Sequence, residues 1–148
     1  MPEDDWDQLI GIDLKGYYLC SQAVGKGMVA RKKGNIINIA SVLGTKTAPG
    51  RGTYSVAKAG VIMLTRALAQ DLGSYGIRAN TIAPGLARTE FGRASWSNPE
   101  YLKKIEAAIP LGRIAEPDDI VGAAVFLASD ASAYITGTTI LIDGGRSA

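Results

Sequence analysis

Histidine is absent from this chain of 148 residues, and cysteine occurs only once. Without histidine the chain has no Ser-His-Asp triad, no histidine metal ligand and no histidine proton relay. The single cysteine, Cys20, excludes an intrachain disulfide and is typical of a reducing compartment, so we expect a cytoplasmic protein. We also expect Cys20 to be a small buried apolar residue, with a reactive thiol as the alternative. Acid–base chemistry must then come from tyrosine, lysine, aspartate or glutamate.

Strong net charge and long apolar runs are absent as well. A formal net charge of +2 is too small to indicate a nucleic-acid partner. The longest apolar stretch, residues 120–128, is much shorter than the roughly 20 residues of a spanning helix, so we expect no membrane partner. The acidic start Met1-Pro-Glu-Asp-Asp is unlike the basic start of a signal peptide. The composition, 47% hydrophobic and 20% charged, is typical of a globular protein, and we interpret residues 1–148 as one domain.

The chain does contain a hydroxyl, a phenol and an ammonium in a suggestive order. The apolar run at residues 35–40 predicts a buried parallel strand, and Ser41 follows at its carboxyl end, where ligands bind in open α/β sheets. After a loop rich in glycine, threonine and proline, Tyr54 opens a helical pattern that reaches Leu72. Lys58 lies four residues after Tyr54, so the two side chains share one face of the predicted helix.

This trio suits proton transfer to or from the oxygen of a carbonyl or alcohol. A free phenol has a pKa near about 10, and an ammonium about 4–5 Å away stabilises the phenolate by roughly 3–4 kcal/mol. Burial acts in the opposite direction, and we expect the charge of Lys58 to prevail and to lower the pKa of Tyr54 towards neutral pH. Ser41 would hydrogen-bond the reacting oxygen. The alternative is a chance Tyr-x-x-x-Lys spacing with a solvated lysine.

The rest of the chain predicts further helices and strands. A helix is indicated from Trp6 to Ala30, with Asp13 on its apolar face either as a solvated carboxylate or as part of a site. We expect residues 86–96 to form a mobile segment that covers the substrate. Trp96 either lines a pocket there or anchors the segment. The remaining predicted elements are a strand at 77–83, a short helix at 99–108, a helix after Pro117 and a last strand at 138–142.

Several motifs occur in a fixed order along the chain: Asn38-Ile-Ala-Ser41, Tyr54-x-x-x-Lys58, Asn80-Thr-Ile-Ala-Pro84-Gly85, Pro110-Leu-Gly-Arg113 and Ile135-Thr-Gly through Asp143-Gly-Gly145. In this order they resemble the short-chain dehydrogenase/reductase family, and they cover essentially the whole chain. The resemblance implies an α/β fold with a partial doubly wound, Rossmann-like parallel sheet and flanking helices. It also implies hydride transfer between NAD or NADP and a small-molecule carbonyl or secondary alcohol.

The resemblance implies a role for each candidate catalytic residue. Tyr54 is the acid/base, Lys58 lowers its pKa and binds the nicotinamide ribose, and Ser41 orients the substrate oxygen. Asp13 stands where the family usually has an asparagine that helps to hold a water linked to the lysine. An aspartate here could instead pair with Lys58, so Asp13 is a candidate member of the site.

By the same resemblance, the backbone that follows the strand at 77–83 contacts the nicotinamide. The implied cofactor-binding residues are Tyr54, Lys58, Pro84, Gly85, Ala87 and Thr89. An ordinary Pro-Gly turn is the alternative at Pro84 and Gly85. No metal site is expected.

The glycine-rich turn that holds pyrophosphate in this family, Thr-Gly-x-x-x-Gly-x-Gly, has no counterpart in the sequence. By resemblance, the chain is a truncated, C-terminal half of such an enzyme, and the residues that select NAD or NADP lie in the absent N-terminal dinucleotide-binding half. The strand at 35–40 should then expose one edge, and we expect a homo-oligomer formed through helices 2–30 and 54–72.

Two other functions stay open at this point. The chain could be catalytically silent and act only as an assembly module, or a separate polypeptide could supply the other half. Members of the family with similar motifs act on sugar acids, acyl thioesters, steroids and simple ketones, so the motifs do not identify a substrate.

Overall fold

Three parallel strands form the sheet, in the order β1, β2, β3. The structure, a computed structural model, describes residues 1–148. The strands are β1 (Gly34–Ile39), β2 (Ile77–Pro84) and β3 (Thr139–Ile142). Each end lies within one residue of the predicted strands. The α/β fold with a partial, parallel, Rossmann-like sheet is therefore confirmed.

The register of the sheet brings the carboxyl ends of β1 and β2 to the same edge. Ile39 pairs with Ile82, and the N–H of Ala40 donates to the carbonyl of Ile82 at 2.8 Å. The residues that follow β1 and β2 in the sequence are therefore neighbours in space. On its other side β1 has no partner strand, and it forms one edge of the sheet.

The first helical stretch consists of α1 (Glu3–Ile10), a π-helical turn (Gly11–Lys15) and α2 (Gly16–Arg31). The backbone is right-handed helical at both junctions, Gly11 and Gly16, so the stretch is continuous. The predicted helix is correct in extent, and the π turn was not predicted. A π turn inserts an extra residue into a helix and is frequent at functional sites. Here it contains Asp13.

The prediction that Cys20 is buried is wrong, because its side chain is exposed. The buried positions of α2 are Ser21 and Gly25, four residues apart, so small residues form its inward face. The position just before Ser21 points away from that face. Helical periodicity therefore places the thiol on the outside.

Helix α3 (Gly52–Leu72) packs against the sheet and against the first helical stretch. It begins two residues before the predicted start at Tyr54. A Cβ atom added at Gly60 would lie 2.7 Å from the side chain of Leu14, so a glycine at this point permits the close approach of the two helices. The buried residues of α3 follow helical spacing: Ser55, Ala57, Lys58, Val61, Ile62, Thr65 and Ala69.

The last part of the chain contains α4 (Arg93–Trp96), α5 (Pro99–Ala107) and α6 (Asp118–Ala128). The apolar run of α6 predicts a packed helix, yet only Leu127 is fully buried there, and Val121 and Val125 are exposed. No helix in the chain is both long enough and apolar enough to cross a bilayer.

Candidate active site

Ser41 lies at the carboxyl end of β1 and is buried. The last bond of the sheet is made by Ala40, after which the chain turns into a short 3-10 helix, Val42–Gly44. Ser41 caps this helix, because its hydroxyl oxygen accepts from the backbone N–H of Leu43 at 3.1 Å. The hydroxyl oxygen thereby accepts within the chain, and its hydrogen can donate towards Tyr54 or towards a ligand.

Tyr54 and Lys58 occupy the first turns of α3. Tyr54 is half-buried, whereas Lys58 is only 5% exposed. The ammonium nitrogen of Lys58 lies 5.6 Å from the centroid of the Tyr54 ring. The turn after Ser41 packs against this part of the helix, since a Cβ atom at Gly44 would lie 2.7 Å from the backbone oxygen of Lys58. Strand β1 and helix α3 thus bring Ser41, Tyr54 and Lys58 to one corner of the molecule.

Two residues of the first helical stretch contact the Lys58 ammonium. Asp13, in the π turn, forms an ion pair with it at 3.0 Å. Tyr17, one turn later, accepts a hydrogen bond from the Lys58 nitrogen at 3.3 Å, and its ring centroid lies 4.8 Å from that nitrogen. An ammonium has three N–H donors, so one of them has no partner within the chain. The predicted alternative, in which Asp13 pairs with Lys58, is the one observed.

The environment of Lys58 favours its charged form. Burial alone would lower the pKa of Lys58, but the hydrogen bond to Asp13 and the contacts with Tyr17 outweigh it, and the pKa is raised. Lys58 is therefore a buried ammonium at neutral pH.

The expectation of a lowered pKa at Tyr54 is wrong. Burial raises the pKa of Tyr54 more than the charge of Lys58 and the neighbouring hydroxyl of Ser41 lower it. Asp13 adds to the rise, because its negative charge disfavours the phenolate and offsets that of Lys58. Tyr54 is therefore a protonated phenol at neutral pH.

The predicted cofactor-side residues follow β2 at the same edge of the sheet. The N–H of Gly85 donates to the carbonyl of Ile142 at 2.8 Å, and Ala87 forms a parallel bridge with Ala115. Pro84, Gly85 and Ala87 are partly buried, and Thr89 is exposed. The structure brings these residues to the edge that carries Ser41, and their binding role stays a prediction.

The segment 86–96 lies across from Tyr54. The ring of Phe91 is tilted against the ring of Tyr54, with 6.3 Å between the centroids, and Phe91 is 87% exposed. Trp96 holds the segment in place, since its indole N–H donates to the carbonyl of Thr89 at 2.9 Å. Its ring also packs against a buried cluster formed by Ile105, Ile109 and Ile114. Of the two predicted roles for Trp96, the contacts are those of an anchor.

Sequence reasoning missed two residues that contact this corner, Tyr17 at Lys58 and Phe91 at Tyr54. Tyr17 carried a usable signal, because it lies four residues after Asp13 on the same helical face. Phe91 lies in an irregular segment with no periodicity, and nothing in the sequence pointed to it. A cavity of about 220 Å³ lies between Gly85 and Arg146, and none of the candidate catalytic residues lines it.

Known proteins match this chain over nearly its whole length. A family model described as enoyl-(acyl carrier protein) reductase matches residues 1–147. The (3R)-3-hydroxyacyl-CoA dehydrogenase of Mus musculus is 42% identical over 147 residues, which are 98% of this chain and 56% of that protein. The D-threitol dehydrogenase of Mycolicibacterium smegmatis is 45% identical over 143 residues, which are 95% of this chain and 54% of that protein.

Among solved structures, a gluconate 5-dehydrogenase from Burkholderia cenocepacia in complex with NADP and tartrate matches with a TM-score of 0.97 and 39% identity. The match covers 99% of this chain and 58% of that one. The chain thus spans a little over half the length of each of these proteins.

Proposed function

The chain belongs to the short-chain dehydrogenase/reductase family, and on this premise we propose that it carries the catalytic part of an NAD- or NADP-dependent oxidoreductase. The reaction is the interconversion of a small-molecule carbonyl compound and a secondary alcohol. The observation that carries the proposal is the corner formed by Ser41, Tyr54 and Lys58 at the carboxyl edge of the sheet. We also propose a cytoplasmic location, because the single cysteine is typical of a reducing compartment.

Tyr54 is the proton donor in the reducing direction. Because burial keeps its pKa above the ordinary value, the phenol carries its proton at neutral pH and can donate it to a carbonyl oxygen. Ser41 donates a second hydrogen bond to the same oxygen through its hydroxyl hydrogen, while its oxygen accepts from the N–H of Leu43. Lys58 stabilises the phenolate that remains at Tyr54 after proton transfer.

Asp13 holds the Lys58 ammonium from the side of the π turn. The 3.0 Å ion pair maintains the charge of Lys58 inside the protein, where an isolated ammonium would be strongly disfavoured. The exposed fraction of the Asp13 side chain is 28%, so this carboxylate also connects the buried ammonium to solvent.

The residues present fit a nicotinamide cofactor. The buried Lys58 ammonium keeps one N–H donor without a partner in the chain, which suits a ribose hydroxyl. Pro84, Gly85, Ala87 and Thr89 would face the nicotinamide from the end of β2. When bound, the nicotinamide supplies or accepts the hydride. The NADP complex of the gluconate 5-dehydrogenase from Burkholderia cenocepacia supports this assignment.

We also propose that the protein self-associates through helices 2–30 and 54–72. Large apolar side chains are exposed along both stretches: Ile12, Leu19, Val24, Val56 and Met63. Such side chains gain free energy when a second copy covers them.

The test of the proposed function is calorimetric titration of the chain with NADH and with NADPH. We expect binding of at least one of them, and weaker binding in Lys58→Met. No heat with either dinucleotide would contradict cofactor binding by this chain alone and would favour the catalytically silent assembly module. Carbonyl reduction that appears only after mixing with a polypeptide carrying a pyrophosphate-binding turn would instead favour a two-chain enzyme.

A further inference from the structure

Tyr17 connects two parts of the candidate site that lie on different elements. Its hydroxyl donates to the backbone carbonyl of Ile39 at 2.7 Å, and the same oxygen accepts from the Lys58 ammonium at 3.3 Å. Ile39 is the last residue of β1 and comes two residues before Ser41. A single phenol on α2 therefore contacts both the strand that presents Ser41 and the lysine on α3.

Tyr17 donates one of these hydrogen bonds and accepts the other, and this determines how it acts on Lys58. A phenol has one hydrogen, and Tyr17 uses it on the Ile39 carbonyl, so towards Lys58 its oxygen can only accept. The Tyr17 ring adds a favourable cation–π contact, with the Lys58 nitrogen 4.8 Å from its centroid. Both contacts favour a protonated lysine at one fixed position.

Asp13 and Tyr17 make different contributions at Lys58. Asp13 supplies the opposite charge, from a carboxylate that is 28% exposed. Tyr17 donates a hydrogen bond to the backbone of β1, so its oxygen has a defined position relative to Ser41. The titratable groups that face Lys58 are Asp13 and Tyr17 from the first helical stretch and Tyr54 from α3.

We propose that Tyr17 is a positioning residue that fixes the Lys58 ammonium in register with Ser41. Its consequence for catalysis rests on the proposed function, whereas its effect on Lys58 does not. The raised pKa of Lys58, to which Tyr17 contributes, agrees with this role.

The experiment compares Tyr17→Phe, which removes only the hydroxyl, with Tyr18→Phe as the matched control. Tyr18 is the next residue on the same helix and is 48% exposed, and its hydroxyl accepts only from the side chain of Gln22. The readout is the ¹H–¹⁵N NMR signal of the Lys58 ammonium, which is identified by its absence in Lys58→Met.

In the wild-type protein we expect a Lys58 ammonium signal in slow hydrogen exchange with water. Tyr17→Phe should shift this signal and accelerate its exchange about three- to tenfold, as loss of one hydrogen bond predicts. Tyr18→Phe should leave it unchanged. An unaltered Lys58 signal in Tyr17→Phe would overturn the proposal.

Asp13→Asn supplies a second arm should Tyr17→Phe not fold, as judged by its helical circular dichroism. With Tyr17 intact, the Lys58 signal of Asp13→Asn should remain observable in slow exchange. Its complete disappearance would show that the ion pair alone fixes Lys58 and would contradict the proposal. None of these signals requires dinucleotide binding, so failure of the proposed function would be detected separately, by calorimetry.

Discussion

The two regions that meet at Tyr54 are built differently. The catalytic corner (Ser41, Tyr54 and Lys58, with Asp13 and Tyr17) joins β1, α3 and the first helical stretch through short contacts that converge on the buried Lys58. The cover segment, residues 86–96, presents Phe91 almost entirely to solvent. Its ion pairs, Arg93 with Glu90 and Arg88 with Glu116, lie largely in solvent as well.

We infer from this difference that the corner serves proton transfer and that the cover segment serves the choice of substrate. Proton transfer requires fixed positions, and these lie where backbone and side chains leave little room for change. The cover segment is held at Trp96 and by surface contacts, so we expect that its exposed side chains can be replaced with little effect on the fold. The named relatives, which include a D-threitol dehydrogenase and a 3-hydroxyacyl-CoA dehydrogenase, differ in the alcohol that they act on. A corner that carries out proton transfer, beside a cover segment with exposed side chains, agrees with that variety.

The largest effect is expected for Gly44→Ala, in the catalytic corner. The added Cβ would lie 2.7 Å from the backbone oxygen of Lys58, and backbone cannot move aside as a flexible side chain can. We expect the free energy of unfolding to fall by about 3 kcal/mol in denaturant titrations. Gly52→Ala is the matched control, because its Cβ meets nothing within 4 Å. Equal stability of the two variants would mean that the corner is not tightly packed.

Phe91→Ala should change substrate preference while it leaves stability nearly unaltered. The side chain is 87% exposed, so its removal should change the free energy of unfolding by less than about 0.5 kcal/mol. A substrate with an apolar group beside its carbonyl should lose about 1 kcal/mol of transition-state binding, which is about a fivefold drop in kcat/KM. Phe91→Leu should retain most of that preference. A large loss of stability in Phe91→Ala would contradict the contrast between corner and cover.

Alkaline pH should weaken the corner before it affects the cover segment. The folded-state pKa values of Tyr54 and Lys58 are raised above their ordinary values of 10.0 and 10.5. The stabilisation linked to these shifts is therefore fully present below about pH 10 and is lost as pH rises through the folded-state values.

The measurement is the free energy of unfolding of wild type and of Tyr54→Phe as a function of pH. Wild type should lose more stability than the variant on going from about pH 8 to about pH 11, because the variant has no phenol at this position. If the stability of both proteins changed equally with pH, burial would not raise the pKa of Tyr54 in the folded state.

The smallest effect is expected for Arg93→Gln, in the cover segment. Arg93 and Glu90 form an exposed i,i+3 ion pair, and such pairs contribute only about 0.3–0.5 kcal/mol. The melting temperature should change by about 2 °C or less, and added salt should remove the difference. A loss comparable to that of Gly44→Ala would show that the cover segment is an integral part of the core.

Local sequence patterns were sufficient to predict the elements and the three central residues of the corner. The apolar run of β1 and the helical spacing of α3 fixed the strand and the helix to within two residues, and Ser41, Tyr54 and Lys58 followed from their motifs. The strand, the helix and these motifs depend on residues close together in the sequence, and for this reason the sequence predicts them.

The remaining features depend on packing between distant segments. The pKa of Tyr54 rises because burial prevails over Lys58, and the extent of burial is a tertiary property. The contact between Tyr54 and Phe91 joins residues on different elements, and the π turn around Asp13 breaks a helical period that otherwise continues. Cys20 was mispredicted because average burial of cysteine says nothing about which face of α2 it occupies.

The most direct test of the account is the rate of dinucleotide-dependent carbonyl reduction in wild type, in Tyr54→Phe and in Tyr75→Phe. Tyr75 is an exposed tyrosine in the turn after α3, so its variant controls for loss of a phenol outside the corner. We predict that Tyr54→Phe lowers the rate about 10²- to 10⁴-fold with dinucleotide binding retained, and that Tyr75→Phe equals wild type. A Tyr54→Phe protein as fast as wild type would contradict the assignment of Tyr54 as the proton donor.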